Sequence, residues 1–283
     1  MGKTHEKKNV QTSRPSPCAS LLPAPETALV IFAKAPIPGQ VKTRLCPPLT
    51  PDEAASLHGS LVLDVLERSG SGATPTRNTI PRYDRFLACA PSSEHVFFQI
   101  MAERHRIPLI DQIGDALGSR MEHAFNRILS MGYHRTLLVG TDLPTLPGSC
   151  FSEADALLTR HDVVLGPTED GGYYLIGLKK PAPKLFGDIS WSTDQVLLQT
   201  MQKAKALGLT TALLPALRDL DTMNDLNALL AEIGLDETSR QAKKQSRSRR
   251  EAGGPAMVLS KRTESVLRLL AERLWDRGNG VRG

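Results

Sequence analysis

The sequence is short of the features that mark several protein classes. Its four cysteines (Cys18, Cys46, Cys89 and Cys150) lie far apart, with no C-x-x-C and no zinc-type spacing. They read as free thiols of a reducing cytoplasm. No apolar run approaches the roughly 20 residues of a membrane span, and the longest, such as 28–33, are strand-sized. The first 26 residues are polar and proline-rich without an apolar signal core, so nothing in them suggests secretion. A G-x-S-x-G elbow is missing. His58 and His123 fall in predicted helices and His134 and His161 at loop edges, none in a known nucleophile motif, which disfavours a Ser/His/Asp hydrolase. There is no Walker A loop either: after the first apolar run only Gly39 is present, three residues before Lys42 rather than one. No internal repeat is visible.

What is present is an ordinary globular composition, 40% hydrophobic and 23% charged over 283 residues, enough for one large α/β domain with tails. The net charge of +5 conceals a division: residues 1–26 carry +2, residues 240–283 carry +8, and the body between them carries −5. The body therefore gives no sign of nucleic-acid binding, and only the basic tail invites that idea.

Residues 1–26, with Pro15, Pro17, Pro23 and Pro25 among polar residues, are expected to be a disordered extension. The body, 27–235, opens on the all-apolar run Ala28–Ala33, suited to a strand buried on both faces. A helix is expected from Pro51 to Arg68, capped by Thr50 with Glu53 returning to it, and with Leu57, Leu61, Val65 and Leu66 along one face. Further strands are expected at 86–90, 136–140, 162–166, 173–178 and 211–214, and helices at 94–105, 115–130, 152–160, 193–207 and 223–233. Strands alternating with helices predict an α/β doubly wound, mostly parallel sheet flanked by helices. A basic linker spans 236–256. A final helical pattern within 257–283, carried by Leu259, Val266, Leu270 and Leu274, either docks on the body or binds a partner.

Five segments carry chemistry. In TLLVGTDLP a strand ends at Gly140-Thr141 and Asp142 follows, with Pro144 and Pro147 keeping that carboxylate on a loop. Ligands bind outside the carboxyl ends of strands in open α/β sheets, although Asp142 could also simply start a turn. In AKAPIPGQVKTRL three cations, Lys34, Lys42 and Arg44, surround a Pro/Gly loop whose N–H groups can face an anion; a solvated basic loop is the plainer alternative. In RDLDT, Asp219 and Asp221 share one face with Leu220 behind, and with Asp142 they would form an all-oxygen cluster suited to Mg²⁺ or Mn²⁺. Asp221 could instead cap the next helix. In GPTEDGGYYL, Glu169 and Asp170 could act as a general base or acceptor anchor beside Gly171, Gly172 and Tyr173, or could form only a turn. In ISWSTD, Ser192 or Thr193 would cap a helix, and Trp191 is either a core anchor or a stacking wall for an acceptor ring.

Together with GD-x-L-G-x-R-M at Gly114–Met121 and LRDLDTMNDL, these runs resemble, in order over residues 28–231, the GT-A-type glycosyltransferases labelled arsenosugar-biosynthesis or radical-SAM/selenodomain-associated transferases. That family lies in the nucleotide-diphospho-sugar transferase superfamily, beside molybdenum-cofactor cytidylyltransferases and 2-phospholactate guanylyltransferases. The resemblance implies a Rossmann-like GT-A fold. It makes the AKAPIPGQVKTRL loop, with Lys34, Gly39, Lys42 and Arg44, the nucleotide-binding loop. Asp142 falls in the place of the D-x-D metal aspartate, and Asp219 and Asp221 match D-x-D-T-x-x-D-L metal ligands. A true D-x-D is absent at 140–142, and the tail from 240 lies outside the pattern.

The expectation is a cytoplasmic, divalent-metal-dependent transferase, moving a sugar from a nucleotide-diphospho-sugar to a small acceptor. Nucleotidyl transfer from an NTP with pyrophosphate release is the runner-up. A non-catalytic nucleotide-binding or interaction protein, supported only by the basic stretch Arg240–Arg250, is the reading of another class.

Overall fold

The computed structural model describes residues 26–70, 83–235 and 259–279. Residues 1–25 of the expected extension, including Cys18, and the basic linker 236–256 lie outside the described residues.

β1 (Thr27–Lys34) is the spine of a seven-stranded sheet. The others are β2 (Tyr83–Ala90), β3 (Leu109–Asp111), β4 (Arg135–Val139), β5 (Val163–Pro167), β6 (Tyr173–Leu178) and β7 (Thr211–Leu213), in the order β3-β2-β1-β4-β6-β5-β7. All neighbours are parallel except β6, which runs antiparallel to both β4 and β5. β3, too short to show a period of its own, is absent from the sequence expectation. Alternate β1 residues feed opposite faces, as a period of two requires. Leu29, Ile31 and Ala33 join one apolar cluster and Ala28 and Val30 the other.

The helices are α1 (Pro51–Gly70), α2 (Val96–His105), α3 (Leu117–Ser130), α4 (Ser149–Leu158), α5 (Val196–Ala206), α6 (Met223–Glu232) and α7 (Lys261–Asn279). Val62, Val65 and Leu66 of α1, Phe98 of α2 and Phe151 of α4 cover the first face; Met121 and Phe125 of α3 and Ala204 of α5 cover the second. The sheet is therefore doubly wound. Crossovers run one way from β1 to β2 and β3, and the other way from β4 on. A crevice consequently opens between the carboxyl ends of β1 and β4, the switch point where such sheets bind ligands.

α1 starts as its sequence dictates: Thr50 N–H donates to Glu53 Oε2 at 2.7 Å and Glu53 N–H returns to Thr50 Oγ1 at 3.3 Å. Its outer side carries Leu57 and Leu61 into a third cluster with Leu226 and Leu230 of α6 and Leu267 and Leu270 of α7. The last helix thus docks on the body, the point the sequence leaves open. A buried carboxylate secures it. The Asp64 side chain is fully buried, accepts from Thr263 Oγ1 at 2.7 Å and pairs with Arg262 Nη1 at 3.1 Å. Among the described residues no helix is long and apolar enough to cross a membrane, and Cys46, Cys89 and Cys150 are free thiols.

Thr263→Val keeps the shape and removes the donor to a buried charge, which should cost about 1.5–3 kcal/mol. The expected result is a lower urea midpoint with an unchanged m-value. An unchanged midpoint would mean that Asp64 does not hold α7.

Candidate active site at the switch point

Two loops meet in the crevice. After β1, the chain folds back on itself through Ile37 N–H to Ala35 O at 2.8 Å and Gln40 N–H to Ile37 O at 3.0 Å. Val41 and Leu45 are buried on either side of Lys42 and anchor it. Lys42 itself is left-handed, with φ of 48°. Such a conformation costs a residue with a side chain about 1–2 kcal/mol, so the flanking anchors have to impose it.

After β4, Asp142 stands on a loop pinned from three sides. Leu143 and Leu146 are buried in the core. Arg68 of α1 donates to Leu146 O at 2.9 Å and Pro144 O at 2.8 Å. Leu220 N–H donates to Asp142 O at 3.0 Å, which brings the 219–221 segment alongside.

The result is one buried ammonium shared by two carboxylates. Lys42 Nζ pairs with Asp142 Oδ1 and lies 2.8 Å from Asp221 Oδ1. The Lys42 side chain is only 3% exposed, whereas those of Asp142 and Asp221 are 45% and 37% exposed and open to the crevice. Burial works to lower the Lys42 pKa, but the two carboxylates outweigh it and hold the pKa above the ordinary value. Burial would likewise raise Asp142, but Lys42, with His58 and Lys34 behind it, brings its pKa below the ordinary value. Lys42 and Asp142 are therefore both charged at neutral pH. Asp221 is free for this pairing because Thr222, not Asp221, caps α6: Thr222 Oγ1 accepts from Asp225 N–H while Asp225 Oδ2 accepts from Thr222 N–H at 2.6 Å.

The crevice encloses about 550 Å³. Lys34, Arg44 and Arg120 bring positive charge to its lining, and Phe32, Leu117 and Met121 supply apolar surface. Gln112 spans the strand ends, its Nε2 donating to Ala33 O at 3.0 Å and Ala88 O at 2.9 Å. Gly39, with φ of 77°, makes the turn before Lys42 without lining the crevice.

Of the expected acceptor-side residues, only Tyr173 lines the crevice. Glu169 pairs instead with Arg218 at 2.9 Å, which also binds Glu232 at 2.8 Å. Asp170 accepts from Thr168 Oγ1 at 2.6 Å and Gly172 N–H at 3.0 Å, closing a turn. Gly171 is required there, because at φ of 89° an added Cβ would sit 2.2 Å from Asp194 O. Trp191, partly buried, packs over Gly118 at the edge of the second cluster, where an added Cβ would meet its ring at 2.7 Å. The helix expected from 193 starts at Val196. Asp219 lines a separate depression with Pro144, Thr145 and Arg218 rather than the crevice. Three lining residues are not marked by the sequence as part of a site: Arg120 sits inside the GD-x-L-G-x-R-M run, Gln112 carries no local signal, and His58 reads as a helical histidine. The His58 side chain is 5% exposed, with Nε2 3.0 Å from Lys34 O and Nδ1 4.0 Å from Asp142 Oδ1. Burial first, then the Lys42 and Lys34 charges, hold its pKa below the ordinary value despite Asp142.

Burial, then Asp170 and Asp221, push Asp219 from an ordinary 3.8 up to about 7. An acid whose pKa rises on folding holds its proton more tightly in the native state. It therefore favours folding at low pH, and that contribution is lost as pH climbs through this window. In chelator-treated protein, Asp219→Asn should raise Tm by an amount that grows from about pH 5 to about pH 8. A gain independent of pH would show that the charge on Asp219 is not the source.

A family model described as "Uncharacterized protein conserved in bacteria (DUF2064)" matches residues 76–193. No curated protein matches the chain. Among solved structures, a candidate nucleotide-diphospho-sugar transferase from Desulfovibrio desulfuricans G20 is 30% identical, with 88% of this chain and 98% of that chain covered at a TM-score of 0.67. CMP:2-keto-3-deoxy-manno-octonic acid synthetase complexed with CTP is 10% identical, covering 78% of this chain and 99% of that one at a TM-score of 0.44. A cytidylyltransferase from Leptospira borgpetersenii is 11% identical, covering 81% and 100% at 0.45. At such scores these two add nothing to the assignment. The first match, at that identity and over nearly all of its length, places this chain in the nucleotide-diphospho-sugar transferase family.

Proposed function

We propose that this protein transfers a sugar from a nucleotide-diphospho-sugar donor to a small acceptor, with Mg²⁺ or Mn²⁺ held by Asp142 and Asp221. The observation that carries the reading is the single cation, Lys42 Nζ, already shared by those two carboxylates at the mouth of the switch-point crevice. An ammonium standing between two carboxylates marks a place built for positive charge, and oxygen donors suit these ions. Among the described residues no group of three or more His, Cys, Asp or Glu is assembled for a metal. Mg²⁺ takes one or two carboxylates and completes its shell with water and substrate phosphates, so the reading asks no more of the chain than Asp142 and Asp221.

When bound, the ion supplies positive charge against the charge that develops on the leaving diphosphate. The chain's own residues do the rest. Lys34, Arg44 and Arg120 bind the remaining phosphate charge, and Lys42 is within the same field. Phe32, Leu117 and Met121 offer an apolar wall to the nucleoside, and Gln112 keeps the strand ends beneath it closed. Membership of the arsenosugar-biosynthesis branch, and residence in the cytoplasm, are part of this proposal. The first rests on the motifs between residues 28 and 231 and the second on the wide spacing of the cysteines.

The test is to incubate the full chain with Mn²⁺ and a panel of nucleotide sugars and nucleoside triphosphates, then identify the products by ³¹P NMR. Release of a nucleoside diphosphate is expected, lowered about 10²–10³-fold in Asp142→Asn. Pyrophosphate release would replace glycosyl transfer by nucleotidyl transfer. Release unaffected by Asp142→Asn would overturn the site.

A further inference from the structure

We infer that Gln112 selects the base of the nucleotide, its side-chain oxygen accepting a hydrogen bond from an N–H group on the Watson–Crick edge. The inference rests on the nucleotide reading proposed above and adds the residue that chooses between bases.

The orientation of the amide is forced. β3 ends at Asp111, and Gln112 carries its ladder one step further, its backbone N–H donating to Cys89 O at 3.0 Å. From there the side chain reaches over the ends of β2 and β1. Nε2 lies 2.9 Å from Ala88 O and 3.0 Å from Ala33 O. Backbone carbonyls only accept, so the group between them has to be the NH₂, and both of its hydrogens are used. The amide therefore cannot turn over to offer a donor. Among the described residues no group donates to Oε1, yet it is not one of the buried atoms left without a partner. It is open at the crevice that Gln112 lines.

The surroundings decide what stands against that oxygen. A phosphate offers it only further acceptors, and the cations Lys34, Lys42 and Arg44 are drawn from the end of β1 and the loop after it. Phe32, Leu117 and Met121 present apolar surface suited to the flat faces of a ring. The strand order β3-β2-β1-β4 sets the backbone of Gln112 three strand positions from that of Asp142. At the usual strand spacing this is about 14 Å. One extended nucleotide thus meets Gln112 with its base and the Lys42 loop with its diphosphate, the ribose lying between.

The consequence is a choice within each size of base. Adenine and guanine match in size, as do cytosine and uracil, but their Watson–Crick edges exchange donors and acceptors. Adenine and cytosine carry an amino group where guanine and uracil carry an oxygen. Guanine and uracil carry a ring N–H where adenine and cytosine carry a bare nitrogen. A fixed acceptor accordingly favours one member of each pair, whereas an amide free to flip would accept both.

The test is calorimetry on the full chain in Mg²⁺ with ADP, GDP, CDP, UDP and pyrophosphate. Within the size pair that binds more tightly, one diphosphate is expected to be preferred by about tenfold or more. Gln112→Ala should bring the two within about twofold and leave pyrophosphate affinity unchanged. Equal weakening of both bases with the preference intact would overturn the assignment and reduce the amide to a tie between strands. Nucleoside diphosphates that bind the unmodified protein without any preference would also overturn it, with the nucleotide reading left standing. Should Gln112→Ala not fold, a crystal complex of the unmodified protein with the preferred diphosphate decides. A base nitrogen within about 3.2 Å of Oε1 is expected there, and none within that reach overturns the role. Failure of every nucleoside diphosphate to bind would remove the nucleotide reading and the Gln112 assignment together.

Discussion

The site depends on a lysine ammonium buried between two carboxylates. Lys42 Nζ is kept protonated by Asp142 and Asp221, and they in turn are held together by it. The three groups come from separate parts of the chain: the loop after β1, the loop after β4 and the segment before α6. Each is fixed by packing that has nothing to do with charge. Val41 and Leu45 seat the first, Leu143 and Leu146 the second, and Leu220 the third. Apolar burial of these neighbours offsets the backbone strain at Lys42 and the repulsion between the carboxylates.

α1 is the element that joins these parts. One side packs on the sheet through Val62, Val65 and Leu66, and the other packs on α6 and α7 through Leu57 and Leu61. Its polar residues are spent on connections: Arg68 clamps the Asp142 loop, Asp64 holds α7, and His58 ties the end of β1 to the crevice. A C-terminal helix that lies far along the chain from the crevice is thus packed on the same scaffold. Its docking stiffens the helix from which the site is hung.

Much of this was legible in the sequence because it is local. The run Ala28–Ala33 announces a strand buried on both faces, Thr50 and Glu53 announce the start of α1, and a strand followed by Gly140-Thr141-Asp142 announces a carboxylate at a strand end. Tyr173–Leu178 appears with the expected bounds. What could not be read depends on partners distant in the chain. Glu169 looks like a base until Arg218, 49 residues on, occupies it. Trp191 carries no local sign that its ring will lie against the bare backbone of Gly118. Asp219 and Asp221 do share a stretch of chain, but only Asp221 lines the crevice, because backbone bonds of Leu217 to Pro167 and Glu169 hold the start of that stretch against the turn after β5, beside Asp170. His58 on a helix carries no local sign that Lys34 and Asp142 will flank its ring.

The most direct test of the central claim is an anomalous-difference map from crystals soaked with Mn²⁺ and a nucleoside diphosphate. A Mn²⁺ peak is expected about 2.0–2.2 Å from carboxylate oxygens of Asp142 and Asp221, with the diphosphate turned towards Lys34 and Arg44. A nucleotide bound in the crevice while Lys42 still joins both carboxylates and no manganese is present would contradict it.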